Sequence, residues 1–308
     1  MDLDQTANTP TASLTIAARS DTGRSRSANQ DYAYAGDLPD APGWTLLAVA
    51  DGLGGHARGE WASQRAIELI AGSLGQLLAA GDPHDAFAEA IRTTNSAIHN
   101  ESRAIGASGA ATTLVAVLLR GREAWWANVG DSRLYRHHAG SLVQVSHDHS
   151  WVAEQVRSGR LPETALKEHP EKNVVTRTVG FEPNVCPEVA GPLLLRDGET
   201  LLLCSDGLHG PVSEEAVSRS IAELEPEHAA ERLVELANDA GGPDNVTVVI
   251  ARLNAPSVPA ARTELTEPAA KQPSAPQRRK RRKLFFWSGA AALLAGAAAA
   301  IPLALLLM

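Results

Sequence analysis

The chain has 308 residues, 44% of them hydrophobic, two cysteines and a formal net charge of −8, which excludes general disorder and suffices for one large domain or two small ones. Seven of the 28 Lys and Arg lie between Lys271 and Lys283 and no acid follows Glu267, so residues 1–270 carry 21 basic against 36 acidic side chains, a net of −15. So acidic a body is unsuited to nucleic acid and well suited to cations.

Residues 1–12 are polar and unpatterned and read as a flexible tail. Strands are then expected at 14–18, 45–50, 112–119, 124–129, 134–138, 142–145, 200–204 and 246–253. A first helix after Gly59 repeats apolar residues at Ile67, Ile70, Leu74, Leu77 and Leu78. A second starts at the cap-like pair Asp82 and Pro83 and presents Phe87, Ile91, Ile98 and Ile105, and a third covers 227–239. Residues 129–145 read as a hairpin turned at Gly140. Many strands with a few long amphipathic helices predict an α+β architecture, antiparallel sheets covered by helices. The polar segment 147–183, broken by Pro162 and Pro170, reads as an insertion on that body. Cys186 and Cys204 lack metal-ligand spacing and are expected as reduced core residues.

Residues 254–283 form a linker rich in Ala, Pro, Ser and Thr that ends in six consecutive cations, Arg278 to Lys283. Residues 284–308 carry no charge over 25 positions; as a helix at about 1.5 Å per residue they reach roughly 37 Å, enough to cross a hydrocarbon layer of about 30 Å. A single-pass C-terminal transmembrane helix is expected, with the cations and the folded domain on the cytoplasmic side, contact with anionic lipid, and no external sensor domain beyond the span.

Four aspartates adjoin apolar runs that should be buried: Asp51 in "LLAVADG", Asp131 in "WWANVGDSR", Asp206 in "TLLLCSDG" and Asp244 in "GGPDNVTVVIA". A lone Asp-Gly is ordinarily a turn former or a helix cap. Four such sites suggest instead that strand ends meet, and several buried carboxylates facing one another require cations. An oxygen-only donor set selects Mg²⁺ or Mn²⁺ over zinc. A cluster of two or more such ions serves metal-assisted hydrolysis of a phosphate ester. Arg24 and Arg26, near the further carboxylate Asp31, are the candidate phosphate donors.

In order, the blocks "GRSRSANQDYAY", "LLAVADGLGGHARGEWAS", "GAATTLVAVLL", "WANVGDSRLYRHHAGSLVQVSHDHSWV", "HPEKNVVTRTVG", "LLLCSDGLHGPVS" and "GGPDNVTVVIARL" resemble the metal-dependent protein phosphatases of the PPM family, also called protein phosphatase 2C, over residues 13–253. The resemblance is closest to bacterial members. It implies a four-layer α-β-β-α sandwich with metals at one end, and hydrolysis of phosphoserine and phosphothreonine on proteins by metal-activated hydroxide, without a phosphoenzyme. It further implies that Asp51 bridges two ions, Gly52 lends its carbonyl, Asp206 and Asp244 complete the pair, and Asp131 with Asp206 holds a third, weaker ion. Arg26 would grip the substrate phosphate, Asp31 would act through bound water, Asn245 would complete the "DN" pair, and 147–183 would be the flap beside the site. Phosphorylated proteins, among them a Ser/Thr kinase, are the partners implied; a catalytically idle phosphoprotein adaptor and a small-molecule phosphohydrolase are the alternatives.

Three positions depart from the family pattern. Gln30 stands where many members have Glu, and Ala111 where the "GTT" motif has glycine. Leu53 occupies the place of the histidine proposed in animal relatives to protonate the leaving group. His56 does not simply inherit that role, and water on a metal is the expected acid. The remaining histidines, His209 included, read as surface or flap residues.

Overall fold

Alternation along the strands decides the architecture. In the computed structural model, which describes residues 13–54 and 57–255, strand β3 (Thr45–Leu53) turns Leu46, Ala48 and Ala50 into one apolar layer and Leu47 and Val49 into another. Successive strand side chains point to opposite faces, so a continuous apolar run marks a strand buried on both. The first sheet runs β2 (Asp31–Asp37), β3, β5 (Leu114–Arg120), β6 (Glu123–Val129), β9 (Glu188–Leu194), with the two-residue β4 (Ala111–Thr112) paired to the end of β3. The second runs β1 (Leu14–Asp21), β11 (Val246–Leu253), β10 (Thr200–Cys204), β7 (Arg133–His138), β8 (Ser141–Gln144). The paired strands in both sheets are antiparallel.

Helices α1 (Ala57–Ala80) and α2 (Pro83–Ala104) cover the first sheet, with Ile67, Ile70, Leu74, Phe87 and Ile91 packed on Leu114, Ala116 and Leu118. Asp82 caps α2 as its sequence predicts, accepting a hydrogen bond from His84 N at 2.8 Å. Over the second sheet lie α5 (Asp206–His209), α6 (Glu214–Glu223) and α7 (Pro226–Asp239), which bring Leu208, Val217, Ile221 and Leu233 onto Leu202, Val248 and Ile250. Between the sheets a third apolar layer joins Leu47, Val49, Val117 and Trp126 to Leu134, Leu201, Leu203 and Val249. At roughly 1.5–3 kcal/mol for each large apolar side chain fully buried, this layer holds the two sheets face to face. The result is the expected α-β-β-α sandwich. Segment 147–183 contains α3 (Trp151–Arg157) and α4 (Ala165–Glu168), is closed on itself by the bridge Ser150 to Val175, and returns to the body through the bridge Thr112 to Val179.

Several expectations are corrected. The hairpin turned at Gly140 is β7–β8 alone, because Val129 ends β6 in the other sheet. Residues 112–119 divide at Thr113 into β4 and β5. Strands β2 and β9 and helix α6 are additional elements. Cys204 is buried, but Cys186 is exposed. Among the described residues no helix is long and apolar enough to cross a membrane; the expected span at 284–308, like the tail at 1–12 and His56, lies outside them.

Candidate active site

The misplaced carboxylates follow from strand phase. One step of two residues past Val49 puts Asp51 on the inter-sheet face. On β2, Asp31 shares a face with Ala33 and Ala35, which pack on the inter-sheet layer, and stands in register with Asp51. The same phase places Ser205 after Leu203 and Thr247 before Val249. These groups meet: Ser205 Oγ donates to Asp31 Oδ2 at 2.7 Å and accepts from Thr247 N at 3.0 Å. Asp51 N donates to Thr113 Oγ1 at 3.0 Å, which lies 2.7 Å from Ser132 Oγ. The inter-sheet layer is therefore apolar along its body and lined with carboxylates and hydroxyls at one end.

Close backbone approaches bring up the other carboxylates. A Cβ on Gly52 would fall 2.2 Å from Gly59 O, and one on Gly207 would fall 1.9 Å from Asn245 O. Gly52 is thus required by the packing of β3 on α1, whatever its carbonyl binds. The second approach seats Asp206, the first residue of α5, beside Asp244 and Asn245. Asn245 is a staple: its Nδ2 donates to Thr22 O at 2.8 Å and Ala28 O at 2.9 Å, and its Oδ1 accepts from Gln30 N at 2.8 Å. That fixes the loop carrying Arg26, whose Nη2 lies 2.6 Å from Asp244 Oδ2. Arg24 contributes a backbone bond to Gly242 O at 2.8 Å, while its side chain is exposed. Gln30 lies against the start of α1, its Nε2 only 2.3 Å from where a Cβ of Gly59 would be. Ala111 pairs with Leu53 in the short β4 ladder and bears on packing.

The electrostatics are those of crowded like charges. Burial, and then the charges of Asp31, Asp206, Asp131 and Asp244, hold the Asp51 carboxyl well above the usual range. Burial first also pushes Asp31 up to about 7 and, with Asp206 next, Asp131 up to about 7. Asp206 rises to about 6 through burial and then Asp244. Asp31 Oδ1 and Asp206 Oδ1 are buried without a hydrogen-bond partner. Among the described residues no three His, Cys, Asp or Glu side chains stand in the closed geometry of a metal cage; Arg26 pairs with Asp244 and Ser205 with Asp31. The orphaned buried oxygens of Asp31 and Asp206 and an all-oxygen donor set fit hard divalent cations.

This crowding makes a testable prediction. Asp31, Asp131 and Asp206 titrate higher folded than unfolded, so the native state binds extra protons between about pH 4 and 7 and loses stability as pH rises through that window. His137, His149 and His209, all held below the usual imidazole range by burial first, act oppositely up to about pH 6.5. The clean readout is therefore a difference. Saturating Mn²⁺ should raise the melting midpoint over that in EDTA by about 5–10 °C at pH 8 and by much less at pH 5.5. A metal shift that is equal at both pH values contradicts the crowding.

His209 is half-buried beneath the site rather than free on the surface. Burial and then Arg133 push its imidazole down to about 3, and its neutral ring donates from Nε2 to Asp131 O at 3.0 Å. The supporting hydroxyls Thr113, Ser132, Ser205 and Thr247 are absent from the sequence-based site; their only signal is strand phase, continued two residues from each inter-sheet apolar position.

Comparison with known proteins agrees with this fold. The family model for protein phosphatase 2C matches residues 22–238. The serine/threonine protein phosphatase PstP of Mycobacterium tuberculosis is 39% identical over 242 residues, 77% of this chain but 45% of that relative, so the chain spans less than half its length. The protein phosphatase PhpP of Streptococcus pneumoniae is 32% identical over 78% of this chain and 98% of its own. The crystal structure of the M. tuberculosis phosphatase PstP/Ppp superposes with a TM-score of 0.71 at 39% identity, covering 79% of this chain and 99% of that one. A structure of the PstP catalytic domain in complex with two manganese ions matches with a TM-score of 0.68 at 37% identity, over 80% of this chain and 100% of that one. With its sandwich, its ring of strand-end aspartates and these relatives, the chain belongs to the protein phosphatase 2C family.

Proposed function

We propose that the chain is a metal-dependent phosphatase of phosphoserine and phosphothreonine in proteins, held at the cytoplasmic face of a membrane by residues 284–308. The observation that carries the reaction is the convergence of Asp51, Asp31, Asp131, Asp206 and Asp244, buried or half-buried, into one mutually repelling group with Arg26 at its edge. Asp51, Asp206, Asp244 and the Gly52 carbonyl would hold two ions, and Asp131 with Asp206 a third. Bound there, Mn²⁺ or Mg²⁺ supplies Lewis-acid charge for the phosphoryl oxygens and acidifies water. The chain's own residues do the rest. Arg26 offers a planar, two-pronged donor to the phosphate, and its loop is held by Asn245. Asp31, fixed by Ser205, faces the site from the adjacent strand as an acceptor for bound water.

An idle adaptor would lack one of the proposed metal aspartates, and Asp51, Asp131, Asp206 and Asp244 are all present in the sequence. Relatives named as serine/threonine protein phosphatases favour a protein substrate over a small molecule. The substrates are products of Ser/Thr kinases, and a kinase at the same membrane is the proposed counterpart. The anchor rests on the 25 uncharged residues that follow six cations. One experiment tests both parts. Membranes from cells expressing the chain should dephosphorylate a phosphothreonine protein only with Mn²⁺ or Mg²⁺, and deleting 284–308 should move that activity to the soluble fraction. Metal-independent turnover sinks the reaction, and unchanged partition sinks the anchor.

A further inference from the structure

The turn that carries Asp131 is tethered on several sides, two of them through histidines. Asp131 O accepts from His209 of α5, part of the helical layer on the second sheet. Its neighbour Gly130 is bonded directly to segment 147–183 by His149, and Asn128 Nδ2 adds an indirect link by donating to both Gly130 O at 3.1 Å and His147 O at 2.8 Å. His149 N donates to Gly130 O at 2.9 Å, and Gly130 N donates to His149 Nδ1 at 3.2 Å, a reciprocal pair. The carbonyl of His149 accepts from Thr176 N at 2.7 Å and from Thr176 Oγ1 at 3.0 Å. Thr176 Oγ1 also lies 2.8 Å from Glu154 Oε1 in α3. His149 is 3% exposed although its segment is among the most polar in the chain. Buried polar groups are placed by their hydrogen-bond partners. Here the partners are the two ends of a connection between an excursion from the sandwich and the residue before a metal-site aspartate.

We infer that His149 is a positioning residue that couples segment 147–183 to the Asp131 turn, so that loosening the segment loosens the turn. Its bearing on catalysis rests on the proposed role of Asp131, but the coupling itself belongs to the metal-free fold and is read without any reaction. Amide hydrogen exchange on the full chain in detergent and EDTA is the measurement. In His149→Ala, exchange at 130–132 and 174–178 should accelerate about five- to tenfold, while β11 amides stay unchanged. His149→Asn, whose side-chain oxygen can take the Gly130 N–H, should restore most of the protection. Thr176→Val, which alters only the segment's side and is not expected to disturb folding, should accelerate the Gly130 amide about twofold or more. The coupling is overturned if Thr176→Val loosens 174–178 and leaves Gly130 unchanged. It is equally overturned if the effect of His149→Ala spreads evenly over the sandwich or is not recovered by His149→Asn. Phosphatase activity enters none of these readouts, so failure of the proposed reaction and failure of the coupling are told apart.

Discussion

Asp51→Asn should lower metal-dependent turnover of a phosphothreonine peptide by about a thousandfold or more and, in EDTA at pH 8, make the protein more stable. The two outcomes share one cause. Asp51 extends the inter-sheet face of β3 into the site, where its charge meets those of Asp31, Asp206, Asp131 and Asp244. Divalent cations would turn that crowding into binding energy; without them it is repulsion in a poorly solvated place. Asparagine keeps the shape and removes the charge, so the metal-free fold should gain on the order of 1 kcal/mol, read as a shift of the urea midpoint. Isothermal titration with Mn²⁺ should show loss of the tight sites. An aspartate kept for structure behaves oppositely, losing stability on neutralisation with little effect on metal binding. A destabilised Asp51→Asn protein that still binds Mn²⁺ tightly would remove Asp51 from the metal site.

What could be read in advance divides by physical signal. The doubly buried strands were legible because burial on both faces writes a continuous apolar run, as in "TLLAVA" and "TLLLC", and the aspartates ending such runs stood out against it. Strand β2, "DYAYAGD", has no β-branched residue and lies at a sheet edge, so the alternation of Tyr32 and Tyr34 with Ala33 and Ala35 is a short and weak signal. Strand β9 carries Gly191 and Pro192, which signal a break yet are tolerated at an edge. Helix α6 did carry a signal: Ser213 caps it, accepting from Ala216 N at 3.3 Å, with Glu214 and Glu215 in its first turn. The hydroxyls of Ser205 and Thr247 and the imidazoles of His149 and His209 are silent individually, because their roles arise between segments far apart in the chain. Gly52 shows the converse: its place in the motif was evident, but the contact with Gly59 that forbids a side chain exists only once α1 packs on β3.

Arg26→Lys should lower kcat/KM by about a hundredfold, chiefly through KM, and Arg26→Ala by at least as much. Lysine keeps the charge but not the planar pair of donors that matches a phosphate, so rescue should be poor. The ion pair with Asp244 at 2.6 Å complicates the assignment, since a residue bound to a metal-site carboxylate could act by shaping that site instead. Metal activation separates the two roles. In the substrate-free protein the guanidinium would compete with cations for Asp244, and it lowers the Asp206 carboxyl from where burial would put it. Removing it frees both carboxylates, so the Mn²⁺ concentration for half-maximal activation should stay the same or fall even as turnover drops. Asp244→Asn should instead raise that concentration. The loss in Arg26→Lys should be as large on p-nitrophenyl phosphate as on a phosphopeptide, because what is gripped is the phosphate and not the chain bearing it. A defect confined to the peptide, or one that added Mn²⁺ repairs, would take the phosphate away from Arg26 and leave it a supporting residue of Asp244.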